Sequence, residues 1–128
     1  MVEKTIQHNK DFYYTHSLFK NAVIKLANMI RATKKNFLNI YAVPRGGLIL
    51  GVYLSHELGI SLNNHFVLNN TLVVDDICDT GKTLEPHRNI TRVALVAKPK
   101  GLNIIKDLIY DIRVEDDTWV HFPWEKTK

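Results

Sequence analysis

The 128-residue sequence predicts an α/β fold, a single domain over residues 1–128 with a mostly parallel sheet flanked by helices. Two observations carry this. Short apolar runs of strand type alternate with segments of helical period, and glycine, proline or acidic residues close each run. In addition, the stretch Thr71-Leu72-Val73-Val74-Asp75-Asp76-Ile77-Cys78-Asp79-Thr80-Gly81-Lys82-Thr83 leads an apolar run into three acids and then into a turn. Ligands of open α/β sheets collect at the carboxyl ends of the strands, so this stretch is the first place to look for a site.

The elements follow in chain order. Thr15 is placed to cap a helix running to about Arg31. Leu18, Ala22, Leu26 and Ile30 recur every four residues, with Phe19, Val23 and Ala27 beside them. Lys20, Lys25, Asn28 and Arg31 lie mostly off that stripe, the pattern of an amphipathic core helix. Phe37 to Val43 reads as a strand stopped by Pro44-Arg45-Gly46-Gly47. Leu48 to Leu58 then reads as a second helix closed by Gly59. A weak strand is expected at His65–Leu68, a tight turn at Asn69-Asn70 and a strand at Leu72–Val74. Thr80–Thr83 is placed to open a helix, although Pro86 confines that start to its first turn. Val93–Ala97 is a further strand, broken by Lys98-Pro99-Lys100-Gly101, and Leu108–Ile112 another.

Composition narrows the function classes. Seventeen Lys and Arg against 13 acids leave a formal charge of +4, which suits a small anionic ligand. No block of like charge points to a nucleic-acid partner. The single cysteine, Cys78, excludes an internal disulfide and a multi-cysteine zinc site, and the six histidines lack zinc-ligand spacing. The N-terminal residues lack the apolar core of a signal peptide, and no apolar run approaches the ~18 residues of a membrane span. A cytoplasmic protein without a transmembrane segment is expected.

Thr80-Gly81-Lys82-Thr83 offers hydroxyls, bare amides and a cation to a phosphate. A nucleotide-triphosphate P-loop would need glycine at the position held by Asp76, so that reading fails. The adjacent carboxylates Asp75 and Asp76 repel unless hydroxyls or a cation satisfy them. Magnesium would suit, because it takes oxygen ligands and bridges carboxylates to substrate phosphates. Asp79, inside the turn, could accept a proton from a base. Arg45 with Gly46 and Gly47 offers a second anion site. Lys98 sits at another strand end, and Trp119 and Trp124 could stack on a flat heterocycle. Read one at a time, each has a plain alternative: solvated turns, a surface lysine, packed aromatics. Cys78 has no base beside it in sequence and reads as a small apolar residue.

Together these residues resemble the type I phosphoribosyltransferases. Val73 to Thr83 is similar to that family's phosphoribosyl-diphosphate motif: apolar strand, two acids, two spacers, then Asp-Thr-Gly-x-Thr. The likeness narrows to the xanthine-guanine branch through Tyr41–Gly47, Ala97-Lys98-Pro99, and Asp117–Val120 with Pro123-Trp124-Glu125, in the family's order. The resemblance implies transfer of the 5-phosphoribosyl group from phosphoribosyl diphosphate to a 6-oxopurine, with Mg2+ as cofactor. It implies that Arg45 and Gly46 hold the diphosphate, and that Asp75 and Asp76 contact the ribose, with Asp76 beside the metal. Asp79, Thr80, Gly81, Lys82 and Thr83 would wrap the 5'-phosphate. Asp79 would also take the purine N7 proton. Lys98 would face the 6-oxo group, Trp119 would stack on the ring, and the Val120 backbone would read position 2. A homo-oligomer, dimer or tetramer, is also implied.

Family members carry a long segment that folds over the site. Here only Ile60 to Asn70 separates Gly59 from Thr71, so that hood is expected to be shortened or absent. Three outcomes stay open: turnover at an open site, cover from another chain, or nucleotide binding without turnover.

Overall fold

A computed structural model describes residues 10–63, 70–86 and 90–126. The strand expected at His65–Leu68, and the segment where a hood would lie, fall largely outside the described residues.

The chain runs β1 (Lys10–Tyr13), α1 (His16–Ala32), β2 (Asn39–Ala42), α2 (Leu48–Leu58), β3 (Ser61–Leu62), β4 (Thr71–Cys78), β5 (Arg92–Ala97), α3 (Pro99–Ile104), β6 (Ile109–Arg113) and β7 (Thr118–His121). Five of the strands form a parallel sheet in the order β3-β2-β4-β5-β6. β1 and β7 form a separate two-stranded parallel sheet.

The helices begin and end where their caps dictate. Thr15 Oγ1 accepts the Leu18 amide at 3.1 Å, which satisfies one of the four orphan donors of α1. The buried face of α1 is Phe19, Ala22, Val23, Leu26, Ala27 and Ile30. Leu18, placed on that stripe from sequence, is 38% exposed, because the core-facing arc is centred on Ala22 and Leu26. Gly59 ends α2 with φ 68°, the left-handed conformation that glycine adopts without penalty.

Strand alternation divides the core. Ile40, Leu72, Val74, Val93 and Leu95 face α1 and α2. Val73 and Ala94 face the opposite side, and Ala97 at the end of β5 packs with them among Leu84, Ile90, Ile105 and Leu108. Among the described residues no helix is long and apolar enough to cross a membrane.

Several expectations change. β4 extends through Cys78, so Asp75 and Asp76 lie within the strand and not in a turn beyond it. Residues after Thr83 form turns and no helix among those described, which removes the helix dipole from the anion argument. Pro99-Lys100-Gly101, expected to be a break, begins α3, with proline in the first turn where its missing N–H costs nothing. β6 starts at Ile109 instead of Leu108. β1, β3 and β7 were not expected; β1 and β7 are joined only by a pairing across most of the chain's length.

Candidate active site

Because the sheet is parallel, the loops after β2, β4 and β5 emerge at one edge. β3 lies on one side of β2 and β4 on the other, so the strand order reverses between β2 and β4. The loops leaving that switch point diverge and leave a crevice. A cleft of about 1130 Å3 occupies it.

One wall is the turn after β2. The Pro44–Arg45 peptide bond is cis. The turn packs against β4 so closely that a Cβ on Gly46 would meet Asp76 Oδ2 at 2.4 Å, and one on Gly47 would meet the Val74 carbonyl oxygen at 2.4 Å. The turn's backbone is thereby held beside the carboxylates, with the Gly47 amide donating to the Val43 carbonyl at 2.8 Å.

The floor is the end of β4. Asp75 is buried, with Oδ1 accepting the Asp76 amide at 2.8 Å, while Asp76 Oδ1 accepts the Ile77 amide at 2.8 Å. Burial pushes the Asp75 carboxyl up to about 8, and the neighbouring Asp76 adds to the rise. The Asp75 carboxyl therefore holds its proton more tightly than a solvent-exposed aspartate does. Burial also pushes the Cys78 thiol up to about 11, with Asp75 adding to the effect, so it is not a nucleophile at neutral pH.

Asp79 to Thr83 form the next wall. Gly81 takes φ 89°, and its carbonyl accepts the Glu85 amide at 2.8 Å, closing the turn. No helix follows the turn among the described residues, and it is held from behind: Gly81 packs against Gly101 and Ile104 of α3, Arg92 Nη1 donates to the Leu84 carbonyl at 3.2 Å and Nη2 to Asp107 Oδ1 at 2.9 Å. Asp79 is 57% exposed at the rim and pairs with Lys98 Nζ at 3.6 Å. That is a loose ion pair without a hydrogen bond, which leaves the carboxylate able to accept a proton.

The far wall comes from β7 and the residues after it: Trp119, His121, Phe122, Trp124 and Glu125. Trp119 is about half exposed and lines the cleft.

Of the residues singled out from sequence, Arg45, Gly46, Asp75, Asp76, Asp79, Thr80, Gly81, Lys82, Thr83 and Trp119 line one cleft. Lys98 and Val120 do not line it. Lys98 lies buried behind Asp79 with Nζ donating to the Asp116 carbonyl at 3.4 Å, and Val120 turns its side chain into the core. Sequence reasoning missed Asp11 and His121, whose Oδ1 and Nε2 lie 2.9 Å apart. A separation of 110 residues gave no local signal; only the β1–β7 pairing brings them together.

Among the described residues no group of three or more His, Cys, Asp or Glu could hold a metal unaided. Asp76 at the cleft surface nonetheless fits a hard cation that takes one or two carboxylates and draws its other ligands from phosphates and water.

No protein-family model matches the chain. It is 28% identical to a xanthine-guanine phosphoribosyltransferase of Idiomarina loihiensis over 91% of its own length and 88% of the relative's. It is 30% identical to the enzyme of that name from Vibrio parahaemolyticus, covering 67% of this chain and 71% of the relative. The crystal structure of a purine phosphoribosyltransferase from Pyrococcus horikoshii superposes with a TM-score of 0.72 at 30% identity, covering 93% of this chain and 96% of that one.

Proposed function

The chain belongs to the type I phosphoribosyltransferases, with xanthine-guanine enzymes among its relatives, and from that premise we propose that it makes purine nucleoside 5'-monophosphates by transferring the phosphoribosyl group from phosphoribosyl diphosphate to guanine, xanthine or hypoxanthine. The observation that carries this reading is the convergence of two anion-binding turns, a carboxylate pair and an exposed indole on one cleft at the strand switch point. A phosphate site alone would need neither the second turn nor the indole.

Each side chain takes a role suited to its place. The amides and guanidinium of Arg45-Gly46 take the leaving diphosphate. Asp75 and Asp76 bond the ribose hydroxyls, and Asp76 would hold the metal. Thr80 to Thr83 wrap the 5'-phosphate with amides, hydroxyls and the Lys82 ammonium. The purine stacks on Trp119. Mg2+, held by Asp76, would supply positive charge to the departing diphosphate. As the bond to diphosphate breaks, positive charge builds on the ribose, and the purine N9 adds to the anomeric carbon. Asp79 takes the N7 proton, and Lys98 behind it supports the negative charge. Most of the acceleration comes from positioning and fixed charge.

We place the protein in the cytoplasm as a homo-oligomer. Incubation with each 6-oxopurine, phosphoribosyl diphosphate and Mg2+ should yield the matching monophosphate and diphosphate. Tight nucleotide binding with no product at high protein concentration would select the rival reading, a nucleotide-binding regulatory protein on the same fold. The chemistry of Asp79 disfavours that rival, since a phosphate sensor has no use for a proton acceptor at the base.

A further inference from the structure

Arg92 opens β5, opposite Val73 of β4, and its side chain is only 9% exposed. Its guanidinium reaches in two directions. Nη2 meets Asp107 Oδ1 at 2.9 Å, and that carboxylate is 77% exposed, so the ion pair is wet at one end and buried at the other. Among the described residues Nε has no partner. Such a pair adds little to folding, because a buried cation loses its hydration and an apolar side chain of similar size would fill the same space. What the guanidinium supplies and an apolar group does not is a donor: Nη1 bonds the Leu84 carbonyl at 3.2 Å. Leu84 is buried, and it lies inside the turn closed by the Glu85 amide on the Gly81 carbonyl. A buried carbonyl without a donor is costly. Without Arg92 the turn would have to shift to bring that oxygen to water.

We propose that Arg92 is a positioning residue for the 5'-phosphate, holding Thr80 to Thr83 in shape through the Leu84 carbonyl. The proposal rests on the phosphate role given to that turn. Arg92 does not line the cleft, so it acts through the turn and not on the ligand. A turn already fixed takes up an anion without a further cost of ordering, whereas a loosened one must be ordered as it binds. The second anion turn, after β2, is braced by other atoms: the Gly47 amide donates to the Val43 carbonyl at 2.8 Å, and the Val43 amide to the Val74 carbonyl at 2.8 Å. Arg92 therefore serves one anion site and leaves the other alone.

The test compares two anions, each confined to one turn, by calorimetry and without turnover: ribose 5-phosphate for the turn Arg92 braces, and diphosphate with Mg2+ for the other. Arg92→Met keeps the volume and removes the donor. It should weaken ribose 5-phosphate about tenfold and leave diphosphate within about twofold of wild type. Arg92→Lys keeps a donor for the carbonyl and should lose no more than about threefold on ribose 5-phosphate. Asp107→Ala changes an exposed side chain, so it carries the test if Arg92→Met does not fold; it frees one arm of the guanidinium and should weaken ribose 5-phosphate about threefold, again without effect on diphosphate. A purely structural defect would weaken both anions together. Equal weakening of both, or ribose 5-phosphate affinity unchanged in Arg92→Met and Asp107→Ala, overturns the proposal. Absence of product while these affinities behave as stated would count against the transferase reading alone; product formation with ribose 5-phosphate affinity insensitive to these changes would count against this inference alone.

Discussion

Asp79 and Asp75 are carboxylates four residues apart with opposite environments, and their predicted behaviour differs accordingly. Asp79 is half exposed beside Lys98 and is the group placed to take a proton from the purine. Asp79→Asn keeps the shape and removes the acceptor. It should lower kcat by about 10²–10⁴, with the KM for phosphoribosyl diphosphate changed far less; steady-state rates with guanine check this, and unimpaired turnover would refute the role. Asp75 is buried, and its carboxyl is pushed up to about 8 from an ordinary value of 3.8. Between those values the folded state keeps a proton that the unfolded chain has released. Fewer protons on the unfolded state mean that stability falls as pH rises through that window, by up to about 1.4 kcal/mol per pH unit. Asp75→Asn should flatten that slope. Urea unfolding at pH 5 and pH 8 measures it, and an equal loss of stability in both proteins would show that another group is responsible.

At the scale of elements, the glycines after β2 show how the site is built by packing. A Cβ on Gly47 would strike backbone atoms, the Val74 oxygen at 2.4 Å and Asp75 Cα at 2.9 Å, so the whole turn must move. The atoms nearest a Cβ on Gly46 are those of the Asp76 carboxylate, a movable group. Gly47→Ala should therefore cost about 2–3 kcal/mol of stability. Gly46→Ala should leave the unfolding midpoint nearly unchanged yet weaken Mg2+-dependent binding of phosphoribosyl diphosphate about tenfold or more, because Asp76 is displaced. Thermal unfolding and calorimetry separate the two, and the reverse ranking would refute the packing argument. The same elements show what was legible in advance. α1 and α2 announce themselves through Thr15, Gly59 and a four-residue apolar rhythm, all local signals. β4 and β5 are readable as apolar runs, and the carboxylates and Thr80–Thr83 turn could be placed on the site from sequence because they adjoin such a run. β1 and β7 were not legible, since each gains its identity from a partner more than 100 residues away, as the Asp11–His121 contact shows. α3 was obscured by Pro99 and Gly101. Only the packed structure shows why Gly101 is needed there: a Cβ would lie 2.6 Å from Cys78 Sγ. The turns after Thr83 take their place from Arg92, a long-range strut that local propensity does not report.

For the molecule as a whole, the decisive feature is that the cleft is shared between two sheets. The phosphate wall, Asp79 to Thr83, leaves the five-stranded sheet, and the base wall, Trp119 to Glu125, belongs to the two-stranded sheet and the turn after it. A nucleotide spans both walls; ribose 5-phosphate reaches only the first. Any ligand bound solely by the folded state stabilises it in proportion to the logarithm of its excess over Kd, about 2.7 kcal/mol at a hundredfold excess. At equal millimolar concentration the nucleotide, engaging both walls, must have the lower Kd and therefore the larger shift. GMP should raise the melting temperature by on the order of 10 °C at that hundredfold excess, and ribose 5-phosphate at the same concentration by a few degrees at most. Trp119→Ala removes the stacking surface while leaving the phosphate turn intact, so it should reduce the GMP shift towards that of ribose 5-phosphate and leave the latter as it was. Thermal melts of both proteins with each ligand provide the comparison. If ribose 5-phosphate stabilised the wild-type chain as much as GMP does, the small sheet would have no part in binding the base, and the two-walled site would be wrong.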